Sequence, residues 1–283
     1  MKDFLLIAWD YLVKVFVSSF THLIIIFGPL ILLAVLMNLV AGTNEKLCVK
    51  TLGQKIYLFF FGWLGTIIHE LGHALFAVIF AHKIDEMKLF SPDPKTHTLG
   101  YVKHSFDKRN IYQQIGNFFI GIGPVLMCCF ALWLISWLLF KIKLNDISTL
   151  TISPELVKSF SALKLAGISI WEGFKTYYTA VIHGENSTWW KIVILVYCIF
   201  SIGSSITLSK SDIVTAKDGL LFVIVLIVIF NLFTVWKSDF AMNYVVKLSS
   251  LLSGFYFIII LSLVLNLIFM LILGVIFKIK EMF

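Results

Sequence analysis

The sequence predicts an all-α polytopic membrane protein of about six transmembrane helices, with a small β-hairpin-like loop after the second. Hydrophobic residues make up 59% of the 283-residue chain and charged residues only 14%, whereas soluble domains carry about 25% charge. The apolar residues fall in runs of roughly 20, the length a helix needs to cross a bilayer. No internal repeat or low-complexity tract divides the chain. We therefore read 1–283 as a single membrane domain: 1–55 an interfacial helix and first span, 56–219 a core, and 220–283 the C-terminal spans.

Residues 4–17 are apolar but interrupted by Asp10 and Lys14, with Trp9 and Tyr11 between them. That pattern suits a helix lying in the membrane interface and running into the first span. The first span is then 21–40, with His22 at its end and Pro29 as a kink. The second is 56–81. The third, 115–140, contains Gly121, Gly123 and Pro124, and a proline there bends the helix and frees a carbonyl. The fourth, fifth and sixth are 191–208, 219–236 and 254–277.

Two connections carry content. Residues 82–114 hold dense mixed charge and two extended-looking pieces, 87–90 and 98–102. Ser91-Pro92-Asp93-Pro94 between them is strong turn chemistry, which predicts a hairpin. In 144–190, Ser153-Pro154-Glu155 reads as a helix start, and the amphipathic pieces up to 182 suit a membrane surface. His97, His104 and His183 read as loop histidines.

The net charge of +7 is spread over loops rather than gathered into a stripe. This favours anionic lipid headgroups as partner and argues against nucleic acid. Lys and Arg are shared almost evenly between the two sides, so positive-inside counting sets no orientation. Cys48, Cys128, Cys129 and Cys198 show no metal-ligand spacing and no disulfide framework; Cys128 and Cys129 read as small core hydrophobes.

Chemistry concentrates in the second span, at His69-Glu70-Leu71-Gly72-His73. Imidazoles four residues apart share one helix face and can reach one metal ion, and the intervening Glu can take a proton from a water polarised by it. A central charged residue costs roughly 2.5–3.5 kcal/mol in a membrane helix, so a Glu flanked by two His there asks for a function. Gly65 and Gly72 would let another backbone approach that face.

A catalytic zinc takes three protein ligands and keeps one position open. Position 79 is Ile where a third histidine of the metzincin type would fall. Glu86, Glu155, Glu172, Glu185 and Glu281 fall in loops or surface helices. Asp212 and Asp218, at the junction of the fourth and fifth spans, remain as third-ligand candidates, and Asp212 also fits the N-cap of the fifth helix.

HExxH within a span, a short extended loop, a Gly/Pro-containing span and a later Asp together resemble the site-two protease family of intramembrane metalloproteases. The family's Asn-x-x-Pro-x-x-x-x-Asp-Gly pattern, laid on Asp212, puts Ser204 at the Asn, Thr207 at the Pro and Ile213 at the Gly, so only the Asp matches. Asp218-Gly219 keeps the Asp-Gly pair six residues later. The resemblance covers roughly 56–219 and implies a divergent member: a zinc metalloendopeptidase with His69, His73 and Asp212 (or Asp218) on Zn²⁺ and Glu70 as general base. It further implies a cytosolic sheet at 87–103 that pairs with an unwound transmembrane substrate, through Leu99, Gly100 and Tyr101, with Asn117 helping to hold the substrate. The protein would then be integral to the membrane, the inner membrane in a bacterium, with both termini cytosolic. The rival classes are a non-catalytic scaffold or regulator of the same fold and a metal or proton transporter.

Overall fold

A computed structural model of the chain describes residues 2–93, 98–147, 160–237 and 240–282. The protein is mostly helical, with one two-stranded sheet. Among the described residues, five helices are long and apolar enough to cross a membrane.

Helix α1 (Lys2–Leu52) is one unbroken element of 51 residues, so the expected interfacial helix and first span are continuous. The Ser and Thr residues between them do not stop the helix. Ser19 and Thr21 donate to the carbonyls one turn earlier, Val15 O at 2.7 Å and Val17 O at 2.8 Å, and so stay within the ladder. His22 is not a span-end group. It is 3% exposed and its Nδ1 lies 3.1 Å from the Asn231 amide, which also donates to Ser19 at 2.9 Å.

The second apolar run forms a short helix α2 (Gln54–Tyr57), a π-helical turn (Leu58–Gly62) and α3 (Trp63–Ile79). The strands follow. β1 (Lys83–Lys88) pairs antiparallel with β2 (Tyr101–Ser105), with a bulge between Ile84 and Glu86. The regular pairing thus lies further from the turn than the expected 87–90 and 98–102. Pro92 has no N–H to give a ladder, and beyond Lys88 the pairing reduces to Ser91 N on Leu99 O at 2.6 Å and the bridge between Asp93 and Thr98.

α4 (Ile111–Phe140) starts where the Asn110 side chain accepts from the amides of Tyr112 and Gln113, an ordinary N-cap. Cys128 and Cys129 are free and fully buried in it. A short α5 (Leu144–Ile147) precedes α6 (Phe160–Ile182); the helix-start signal at Ser153-Pro154-Glu155 lies outside the described residues.

The expected fourth span is not one helix. α7 (Trp189–Ser201) ends after 13 residues, one 3₁₀ turn (Gly203–Ser205) follows, and the chain then runs extended into α8 (Lys210–Thr234). Ser204 and Ser205 hydroxyls bond Ser201 O at 3.0 and 3.3 Å, diverting the backbone from helix. Ile206 and Leu208 remain buried, so hydropathy carries through the break. α9 (Phe240–Glu281) is a 42-residue helix, longer at both ends than the expected sixth span.

α4 packs between α3 and α8, and α1 packs along α9. The approach of α3 is set by its glycines. A Cβ on Gly72 would lie 2.7 Å from Pro124 Cα, and one on Gly65 would lie 2.1 Å from Ser201 O. No side chain fits at either place. Gly65→Leu should therefore destabilise the protein by about 1–3 kcal/mol through overpacking, read as a lowered Tm in detergent. Gly42→Leu, where nothing lies within 4 Å, should leave Tm nearly unchanged.

The sheet is docked by histidines. His82 Nε2 donates to Gln113 O at 2.8 Å, leaving its Nδ1 to accept from His104 Nδ1 at 3.0 Å. Burial, helped by neighbouring His82 and His73, holds His104 down at about 4, and burial lowers His82 as well. Both imidazoles are therefore neutral in the docked state. An undocked His104 takes up its proton near 6.5, so docking loses stability as pH falls from about 6.5 towards 4. Hydrogen exchange of the β1 and β2 amides should accelerate over that window, corrected for intrinsic rates, and His104→Gln should flatten the response.

Candidate metal centre

On α3, His69 and His73 stand one turn apart with ring centroids 5.2 Å from each other. Each is fixed by its Nδ1. The His69 Nδ1 lies 3.0 Å from Ser205 O, in the broken segment after α7, and the His73 Nδ1 lies 2.9 Å from Ile120 O on α4. A carbonyl only accepts, so each Nδ1 carries the proton and each Nε2 lone pair is free for a ligand.

Both Nε2 atoms face Asp212. His73 Nε2 is 3.2 Å from Oδ1 and His69 Nε2 is 3.6 Å from Oδ2. The second distance is too long for a hydrogen bond. Donors held 2.0–2.2 Å from one tetrahedral ion are about 3.3–3.6 Å apart, and the two distances lie close to that range. The three residues are the group of metal-ligand type found among the described residues. Two imidazole nitrogens and a carboxylate oxygen suit a divalent transition-metal ion.

Asp212 is set by the start of α8. Ser209 is the N-cap: its hydroxyl accepts from the Asp212 amide at 3.2 Å, and Asp212 Oδ2 accepts from the Ser209 amide at 2.7 Å, a reciprocal capping box. The N-cap is therefore Ser209 rather than Asp212, which stands at the third helical position and closes the box while facing the imidazoles. Asp218, nearly two turns on, is exposed and outside the cluster.

Glu70 is 8% exposed and lines a cavity of about 500 Å³ that also takes in His69, His73 and Asp212. It makes no hydrogen bond or ion pair with any described residue. The segment entering β2 crosses directly over it: a Cβ on Gly100 would come 2.9 Å from Glu70 Cγ. Leu99, Gly100 and Tyr101 all line the cavity. Ser204 and Thr207 line it too, although neither matches the resemblance's pattern. Asn117 stands elsewhere: it is 1% exposed, its Nδ2 has no partner among the described residues, and it does not line the cavity.

The Ser205 carbonyl, which aims His69, has no signature in a sequence, because any residue supplies a carbonyl; the Ile120 carbonyl, which aims His73, has one, because Pro124 four residues on has no N–H to give it. His104, read as a loop histidine, lies in β2 and lines the cavity.

Asp212→Asn keeps an oxygen for the Ser209 amide but loses the anionic donor. It should weaken metal binding by more than about 100-fold, since even outer partners of metal ligands are worth 10–100-fold. Asp218→Asn should bind as the unaltered chain does; competitive titration of purified protein against a chelator measures both.

No protein-family model, no curated protein sequence and no solved structure matches this chain.

Proposed function

We propose that the chain is an intramembrane zinc metalloprotease of site-two protease type, which hydrolyses peptide bonds in membrane-spanning protein or peptide substrates. One observation carries the reading: Glu70, buried and without a bonding partner among the described residues, opens into the cavity beside two carbonyl-aimed imidazoles and an aspartate, on helices apolar enough to lie in a bilayer. A chain that only packed helices would have no use for that carboxylate.

His69, His73 and Asp212 would hold the Zn²⁺, which when bound supplies Lewis-acid polarisation and an acidified water. Glu70 is the general base: it accepts the proton of the attacking water and delivers it to the leaving amine. The carbonyls of Ser205 and Ile120 keep both imidazoles in the metal-binding tautomer throughout. A helical substrate hides its peptide carbonyls and must be unwound before attack. Leu99, Gly100 and Tyr101, extended over Glu70, offer backbone to which an unwound strand can pair. By the same resemblance the sheet and both termini are cytosolic and the protein is integral to the membrane.

Glu70→Gln should retain metal and lose cleavage of a transmembrane-segment peptide by at least about 100-fold, the lower end of the range for general-base catalysis. Metal content and cleavage by protein reconstituted in liposomes measure the two. Undiminished cleavage by the variant removes the mechanism; metal without turnover in the unaltered chain favours a non-catalytic scaffold.

A further inference from the structure

Two glycines line the cavity of the candidate metal centre where neither backbone nor packing calls for glycine. Gly42 lies inside α1, and Gly62 ends the π-helical turn before α3. Neither has the positive φ that glycine alone adopts freely. No close neighbour excludes a side chain either. A Cβ on Gly42 would meet nothing within 4 Å, and one on Gly62 would sit in ordinary contact, 3.5 Å from Leu58 Cδ2 and 3.6 Å from Leu99 Cδ1. Gly65 and Gly72, by contrast, have no room for a Cβ. Glycine inside a helix is less stable there than alanine, so what Gly42 and Gly62 contribute is the space itself.

α9 brings the two to one end of the cavity. Its Asn266 carbonyl accepts from Asn44, two residues beyond Gly42, at 3.0 Å. One turn further on, the Phe269 ring lies 5.4 Å from that of Phe61, the residue before Gly62, and 4.9 Å from that of Phe200 at the end of α7. All three rings line the cavity and none is fully buried. Asn44 is held by Asn266 and Glu45 is exposed, so aromatic rings supply the wall of this end.

A second, independent observation marks the cavity as one that receives a ligand. Glu70 opens into it, is more than nine-tenths buried, and has no bonding partner among the described residues. Buried polar groups are ordinarily paired, and this one is left to whatever enters. Gly62 precedes Glu70 by eight residues, roughly 12 Å of helix axis. An extended chain rises about 3.3 Å per residue, so the aromatic end lies three to four residues from a peptide bond held at Glu70.

We propose that this end is a subsite for one aromatic side chain of the substrate's membrane segment, with Phe61, Phe200 and Phe269 as its wall and Gly42 and Gly62 as the residues that set its size. This rests on the protease reading above and adds a sequence preference to it. Lipid is as apolar as the subsite, so leaving lipid gives little. The preference comes instead from ring-to-ring packing, which a side chain on either glycine would block. The anchored ring sets which peptide bond, three to four residues away, meets Glu70.

The test separates binding from cleavage. The full chain carrying Glu70→Gln, in lipid nanodiscs, is titrated with fluorescein-labelled 21-residue Val/Ala peptides bearing one Phe at successive positions, beside the peptide without Phe. At one position Phe should tighten binding about three- to tenfold. Adding Gly42→Leu or Gly62→Leu should erase that gain while the peptide without Phe binds as before, and Gly42→Leu should do so at unchanged Tm. Gly274→Leu, at a position as open as Gly42 but on α9 and outside the cavity lining, should change nothing. Equal binding with and without Phe at every position overturns the subsite, as does a Phe preference that survives both cavity substitutions. If the unaltered chain cleaves none of the peptides while the glycine-dependent preference stands, the protease reading fails and the subsite does not. Cleavage without the preference sinks the subsite alone.

Discussion

The candidate metal centre depends on how closely α3 can approach the backbone of α4 and of the end of α7. Gly65 lies on Ser201 and Gly72 on Pro124, at separations where no Cβ fits. That approach brings the Ser205 carbonyl to His69, and α4 brings Ile120 O to His73. Non-helical backbone at membrane depth is tolerated only where protein or a wet cavity satisfies it. Here the freed carbonyl of Ser205 is satisfied by an imidazole, and the amide of Ser209 by Asp212. The unwound segment is thus both the weak point of the helical scaffold and the source of the groups that orient the ligands.

The parts of the fold legible in the sequence were those that hydropathy and turn chemistry govern. The helix-rich architecture and the hairpin after the HExxH helix are both present. What hydropathy could not register was the break after Ser201, because Ile206 and Leu208 are as buried as helix residues would be. The running of the first apolar segment into the next is present in α1, where Ser19 and Thr21, polar by composition, fold back on their own turn. At the site, the histidine spacing was informative because two ligands share a helix. The choice between Asp212 and Asp218 was not, since it depends on where α8 begins, and Ser209 decides that.

Polar groups elsewhere in the bundle are mostly spent on one another. Asn231 bonds Ser19 and His22 across α1 and α8, and Ser136 bonds Tyr177 between α4 and α6. Such pairs hold helices together where lipid offers no hydrophobic drive between them. Against that background the buried carboxylate of Glu70 stands apart, since it opens into the cavity and has no bonding partner among the described residues.

The reciprocal cap at the start of α8 has a consequence for judging this protein's kin. An acid at position 212 benefits the helix whether or not any ion is ever bound, because it accepts the Ser209 amide and sits at the positive end of the helix dipole. A descendant that had abandoned chemistry would still be rewarded for keeping it. Nothing in the scaffold rewards Glu70 in that way. Under the proposed function, its presence or loss, rather than that of the aspartate, would be the mark by which working and silent copies of this architecture are told apart.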